Sequence, residues 1–211
     1  MAVPVRQRGH DGRLILGLLE SVEEDGFKSQ RRLAAELGIA LGLVNAYLNR
    51  CIQKGLVKVA EAPARRYAYY LTPKGFVEKS RLSIEYLTYS FGIFREAKLD
   101  CLKLFDLARQ RGLVLFGLDG ASDLAEIAII CARDTDVQIV AIVDATATRR
   151  RLGGIPIVDS YAEITNVVDG LIITQFGYTQ ANVATAVANF GADRVLVPRL
   201  LLKSITREGA L

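Results

Sequence analysis

The stretch LVLFGLDGASDLAEI, residues 113–127, has the makings of a phosphate-binding turn: a short apolar run, glycines at 117 and 120, and a small residue, Ser122, ahead of a helix-compatible segment. In a G-x-G-x-x-G turn the first glycine makes the bend, the second lets a pyrophosphate approach the backbone, and the third allows close packing of the helix. Here Asp119 stands where the second glycine belongs. It adds a side chain and a negative charge, unfavourable beside a pyrophosphate unless the carboxylate turns outward or pairs with an arginine. The turn is kept while the dinucleotide fingerprint is damaged. Candidate ligand-binding residues are Gly117, Asp119, Gly120, Ala121 and Ser122, joined by three features further on. Asp144 lies 24 residues beyond Gly120, near the spacing at which an acid takes a ribose hydroxyl. Arg149, Arg150 and Arg151 follow it and suit a phosphate, a solvated loop being the alternative reading; Thr174 ends the apolar run GLIIT.

Other chemistry is poorly supplied. The single histidine, His10, sits in an N-terminal segment that reads as mobile and solvated. Cys51, Cys101 and Cys131 are far apart, an odd set without C-x-x-C spacing, which argues against a disulfide framework and a zinc site. No paired acid and base, nucleophile constellation or metal cluster is visible. The expectation is therefore no catalytic residues, no metal and no enzymatic activity. The absence of a long apolar run and of a secretory h-region points to a cytoplasmic protein.

Charge divides the chain. Residues 1–112 carry a net +7 and residues 113–211 a net −3, so the first half is the one suited to meet a polyanion. After a flexible opening, GRLILGLLESVEEDG has apolar residues at helical spacing. Ser29 is a good N-cap for a helix through Leu37, Gly38 breaks it at a left-handed position, and a second helix runs from about Leu41 to Lys54. Leu33, Ala34, Leu37, Ile39, Val44, Leu48 and Ile52 form one apolar set that locks the two helices across a short turn, a helix-turn-helix. LVKVAEAPARRYAYYLTP then reads as a hairpin, a wing with Arg65 and Arg66 at its tip for phosphate or minor-groove contact. The exposed face of the second helix offers Leu41, Gly42, Asn45, Ala46, Asn49 and Arg50 to DNA; Asn45 suits an adenine edge and Arg50 a phosphate. Gln30, Arg31 and Arg32 add phosphate donors, and Tyr47 is either core or a backbone contact.

QRRLAAELGIALGLVNAYLNRCIQKGLVKV followed by RRYAYYLTPKGFVEKSRLSIEYL resembles the MarR-like winged-helix regulators associated with exopolysaccharide gene clusters, over residues 11–90. The resemblance implies a double-stranded DNA operator and a link to surface polysaccharide.

Residues 73–112 read as a helical connector, Thr72 capping and Pro73 at the first helical position, with one interruption near Gly92. Its apolar stripe is too wide for an isolated helix and predicts packing on a second copy, which would set two recognition helices on half-sites one turn apart. From Leu113, short apolar runs alternate with helices of about ten residues, the rhythm of an α/β fold with a parallel sheet. The expected architecture is an α+β winged helix-turn-helix domain (1–72), the connector (73–112) and a Rossmann-like α/β domain (113–211).

VLFGLDGASDLAEIA, VAIVDA, LGGIPIVDS and DGLIIT, in that order, resemble the nucleotide-sugar-binding N-terminal domain of sialic-acid-type sugar O-acyltransferases. The chain lacks the left-handed helix that carries acyl transfer in that family, so the resemblance implies binding without that chemistry. Together these readings describe a dimeric transcriptional regulator whose effector is a nucleotide sugar. Two alternatives keep the architecture: a Rex-type regulator responding to NAD(H), and a regulator whose α/β domain only oligomerises.

Overall fold

A computed structural model describes residues 5–62 and 66–202, with the backbone alone at 5–10, 62 and 66. Two compact units result, Met1–Ser90 and Phe91–Leu211, so their boundary falls within the segment the sequence marks as a connector.

In the first unit, α1 spans Val5–Glu24, α2 Gln30–Leu37 and α3 Leu41–Gln53. The helix begins at Val5, inside the opening that the sequence suggests is flexible, and His10 belongs to it. Ser29 Oγ accepts from the Arg32 N–H at 3.2 Å and fixes the start of α2. Gly38, at φ +63°, ends α2 in the left-handed region that a Cβ disfavours, and α3 starts three residues on. From α1, the side chains of Ile15, Leu18, Leu19 and Val22 bury against Leu33, Val44, Leu48 and Cys51. Ala34, Leu37, Ile39 and Ile52 pack around this centre. Full burial of one such aliphatic side chain contributes about 1.5–3 kcal/mol. The strands β1 (Val57–Ala62) and β2 (Arg66–Leu71) pair antiparallel from Val57–Leu71 to Ala62–Arg66.

Helix α4 runs unbroken from Pro73 to Gln110. Thr72 Oγ1 accepts from the Gly75 N–H at 3.0 Å and caps it. The expected interruption at Gly92 does not occur; an interior glycine costs about 1 kcal/mol relative to alanine, too little to break a helix of 38 residues.

The second unit contains β3 (Leu115–Asp119), α5 (Asp123–Ala132), β4 (Gln138–Val143), β5 (Arg151–Leu152), β6 (Ile155–Val158), β7 (Gly170–Ile173), α6 (Gln180–Phe190) and β8 (Val195–Leu196). The sheet order is β5-β6-β4-β3-β7-β8, parallel throughout except for the β5–β6 pair. The chain adds β4 and β6 on one side of β3, then returns to place β7 on the other, so connections diverge beyond the carboxyl ends of β3 and β7. Phe116, Leu118, Ile142, Leu171, Ile172 and Ile173 are fully buried, as strands covered on both faces must be. Cys101, Phe105 and Ala108 of α4 and Leu124, Ala125 and Ala128 of α5 join that core. Between β6 and β7 the alternation of strands and helices yields only a 3-10 turn, at Tyr161–Glu163.

Candidate nucleic-acid interface and candidate ligand crevice

In the first unit, Val44, Leu48 and Cys51 turn α3 inward, which leaves Leu41, Gly42, Asn45, Ala46, Asn49 and Arg50 exposed together on its other face. Asn49 Nδ2 donates to Asn45 Oδ1 at 3.3 Å, so the two amides orient one another. Tyr47 settles on the core side: its ring packs, partly buried, against the winged-helix core, and its hydroxyl donates to Asp11 Oδ1 at 2.6 Å. The same carboxylate stands 3.6 Å from Arg50, so α1 holds the far end of the exposed face. At the start of α2, Arg31 is exposed, whereas Arg32 is engaged by Glu36 at 3.0 Å and Asp25 at 3.8 Å, and Gln30 donates to the Tyr69 hydroxyl at 3.2 Å. Arg65 lies outside the described residues; Arg66 opens β2, its side chain likewise outside them.

In the second unit, the glycine turn sits at the carboxyl end of β3. Gly117 is not part of it: this residue lies within β3, where a Cβ would stand 2.6 Å from Ile164 Cδ1. Gly120 makes the bend at φ +105°, and a Cβ there would lie 2.5–2.8 Å from Gln175. Its N–H donates to the Val143 carbonyl at 2.9 Å. Ala121 N–H donates to Asp144 Oδ2 at 3.0 Å. Ser122 is the N-cap of α5 rather than part of the helix, its Oγ accepting from Leu124 and Ala125 and donating to the Thr174 carbonyl at 2.6 Å. Thr174 is fully buried, with its hydroxyl against the carbonyls of Asp119 and Gly120. Four N–H groups of the turn and first helical turn, those of Gly120, Ala121, Leu124 and Ala125, are thus already held by the protein's own acceptors.

Asp119 is buried and accepts from the hydroxyls of both Tyr161 and Tyr178, which lie 3.2 Å apart. It neither turns outward nor meets an arginine. Burial holds its carboxyl above the ordinary value of 3.8, the tyrosines act against this shift, and the Asp144 charge adds to it. Burial together with the Asp119 carboxylate pushes Tyr161 up to about 12 and Tyr178 up as well. For Asp144, partial burial opposes ionisation, but hydrogen bonds from the Thr146 side chain and the backbone of Ala121, Thr146 and Ala147 outweigh it and hold the carboxyl below its ordinary range. Arg149 donates to the Ala121 carbonyl at 3.0 Å and Arg151 to the Gly154 carbonyl at 2.6 Å, while Arg150 is exposed, 3.4 Å from Asp159. Arg151 also opens β5, so the arginine run is partly a hairpin edge.

These carboxylates predict a pH dependence. A raised folded-state pKa means that the proton on Asp119 stabilises the fold below the unfolded-state value, a contribution lost as pH rises through the folded one. Asp119→Asn cannot lose it. The melting temperature of this variant relative to the native chain is expected to rise as pH is raised above the ordinary carboxyl value of 3.8; a difference that stays constant, or falls, would contradict burial of an ionisable group at this position.

Tyr161 and Tyr178 are functional candidates that the sequence does not single out. They lie 42 and 59 residues beyond Asp119 and arrive on separate connections, after β6 and after β7. No spacing rule links them; only the sheet order brings them together.

Residues 13–58 match the family model described as winged helix-turn-helix DNA-binding. No curated protein matches the sequence. Among solved structures the chain is similar to PigF with SAH, at 14% identity and a TM-score of 0.34, over 92% of this chain and 71% of that one. It is also similar to NcsB1, an O-methyltransferase from neocarzinostatin biosynthesis in complex with S-adenosyl-L-homocysteine, at 14% identity and a TM-score of 0.36, over 93% and 83%. Human N-acetylserotonin methyltransferase in complex with SAM is similar at 13% identity and a TM-score of 0.28, over 83% and 68%. The expectation that the chain is not an enzyme is corrected by these neighbours, which include two named methyltransferases. Within the described residues, no helix is long and apolar enough to cross a membrane. The chain joins a winged helix-turn-helix domain of the DNA-binding kind to an α/β domain with a mostly parallel, Rossmann-like sheet.

Proposed function

We propose that the protein is a cytoplasmic transcriptional regulator that acts as a homodimer on a double-stranded DNA operator and responds to a nucleotide-type metabolite in its α/β domain. The observation that carries the first part is the coincidence of the matched segment with a helix α3 whose outer face is wholly exposed, from Leu41 to Arg50. Phosphates would be met by Arg31 and the wing arginines Arg65 and Arg66, and bases by Asn45 and Asn49.

For the effector, the crevice supports a ligand held by its ribose rather than by a pyrophosphate on the glycine turn. Asp144 is kept ionised at the end of β4: its Oδ1 is taken by the N–H and hydroxyl of Thr146, its Oδ2 accepts from the Ala121 N–H and has a lone pair to spare, and the Gly120 and Ala121 donors of the turn are engaged by the protein itself. A nucleotide sugar of surface-polysaccharide synthesis would place its phosphates towards Arg149 and Arg150, beside the turn. Ligand binding changes operator affinity only if it favours one arrangement of the dimer over another.

The test is a thermal-shift series with UDP-, GDP-, CMP- and dTDP-sugars beside NAD, NADH and NADPH. One nucleotide sugar is expected to raise the melting temperature by several degrees, and Asp144→Ala to abolish that shift while leaving ligand-free DNA affinity unchanged. A shift with NADH instead would move the protein to the redox-regulator reading. Silence across the series would overturn the sensing role assigned to the crevice.

A further inference from the structure

On α4, Val77, Ile84 and Phe91 recur at intervals of seven residues, and Ser80, Leu87 and Phe94 recur at the same interval three residues later. This is the a/d pattern of a helix seam, whose side chains interlock with those of a second helix carrying the same repeat. The five apolar members are exposed by 68% (Val77), 66% (Ile84), 52% (Leu87), 59% (Phe91) and 41% (Phe94). Leu82, on the opposite side of the helix, is buried in the winged-helix core. Continuing the repeat passes the exposed Lys98 and then reaches Cys101, Phe105 and Ala108, which the α/β core covers. The stretch from Val77 to Phe94 is the part of the stripe left in water.

We infer that residues 77–94 of α4 form the dimer seam, packed against the same segment of a second copy of the chain. This rests on the homodimer reading above and names its surface. Two arguments select a second copy as the occupant. A seven-residue repeat fits a helix of matching repeat rather than an irregular segment. The area also suffices: five side chains at these exposures present on the order of 500 Å² per chain, or roughly 1,000 Å² in a pair, about what a specific interface needs.

Sedimentation equilibrium of the full chain at micromolar concentrations tests this with two substitutions. Leu87→Glu places a charge in the seam and is expected to raise the dimer dissociation constant about 30-fold or more. Tyr89→Glu changes a side chain that is 62% exposed on the opposite side of the same helix, and is expected to leave the constant within about threefold of native. Both positions are exposed, so helicity by circular dichroism should stay at the native level in each variant. A native dimer that Leu87→Glu does not weaken, or that both substitutions weaken alike, would overturn the seam while leaving a dimer formed elsewhere. A native monomer would overturn the seam and the homodimer reading together.

Discussion

Alanine at both Asn45 and Arg50 is expected to lower operator affinity by about three orders of magnitude. An asparagine paired with an adenine edge contributes about 1–3 kcal/mol of discrimination, and a phosphate-bound arginine about 1 kcal/mol more. In a two-fold dimer every substitution counts on both half-sites, so a total near 4 kcal/mol is a moderate estimate. Both side chains are exposed, and the Arg50–Asp11 pair, at 3.6 Å, lies near the surface. Folding stability should therefore change by no more than about 1 kcal/mol. Fluorescence anisotropy on the operator reads the first quantity and urea unfolding the second. A loss of affinity below tenfold with the fold intact would mean that another face of the winged-helix unit meets the bases.

Gly120→Ala carries the largest expected cost to stability, about 3–5 kcal/mol in the α/β domain. Two effects add. At φ +105° a side chain is strained whatever space surrounds it, and the new Cβ would stand 2.5–2.8 Å from the side chain and Cα of Gln175. The amide end of Gln175 can swing away, but its Cβ and Cα cannot retreat easily, because the Gln175 N–H donates to the Asp119 carbonyl at 2.8 Å and Thr174 beside it is fully buried. Gly154→Ala is the matched control: its φ is +89°, yet nothing lies within 4 Å of an added Cβ, so it reports the backbone strain alone. Equal losses at the two sites, measured by chemical unfolding, would mean that the contact with Gln175 relaxes without cost.

What the sequence makes legible is what local chemistry controls. Ser29, Gly38, Thr72 and Pro73 announce their helix ends through capping and φ preferences, and the helices begin or end there. The inward set of Leu33, Val44 and Leu48 follows from helical spacing, and so does the outward face that it leaves. The parallel sheet follows from the alternation of apolar runs and helical segments. Features set by long-range packing are not legible. Gly117 looks like part of the turn because spacing cannot say where a strand stops; it lies inside β3 under Ile164. Asp119 reads as a misfit beside a phosphate unless it turns outward or pairs with an arginine. Its partners are two tyrosines that the chain delivers only after β6 and β7 have taken their places in the sheet. Gly92 reads as an interruption because its helix propensity is poor, a local penalty that the rest of α4 outweighs.

DNA binding by the winged-helix unit is the claim on which the rest depends, and the salt dependence of that binding tests it most directly. Duplexes retained by the native chain from a random pool would be bound again at increasing salt, beside Arg65→Ala/Arg66→Ala. The native chain is expected to hold a defined duplex with a log–log salt slope of about −4 or steeper, and the double variant to flatten it by about 1 for each phosphate no longer neutralised. No retained duplex, or binding that salt does not weaken, would contradict the account.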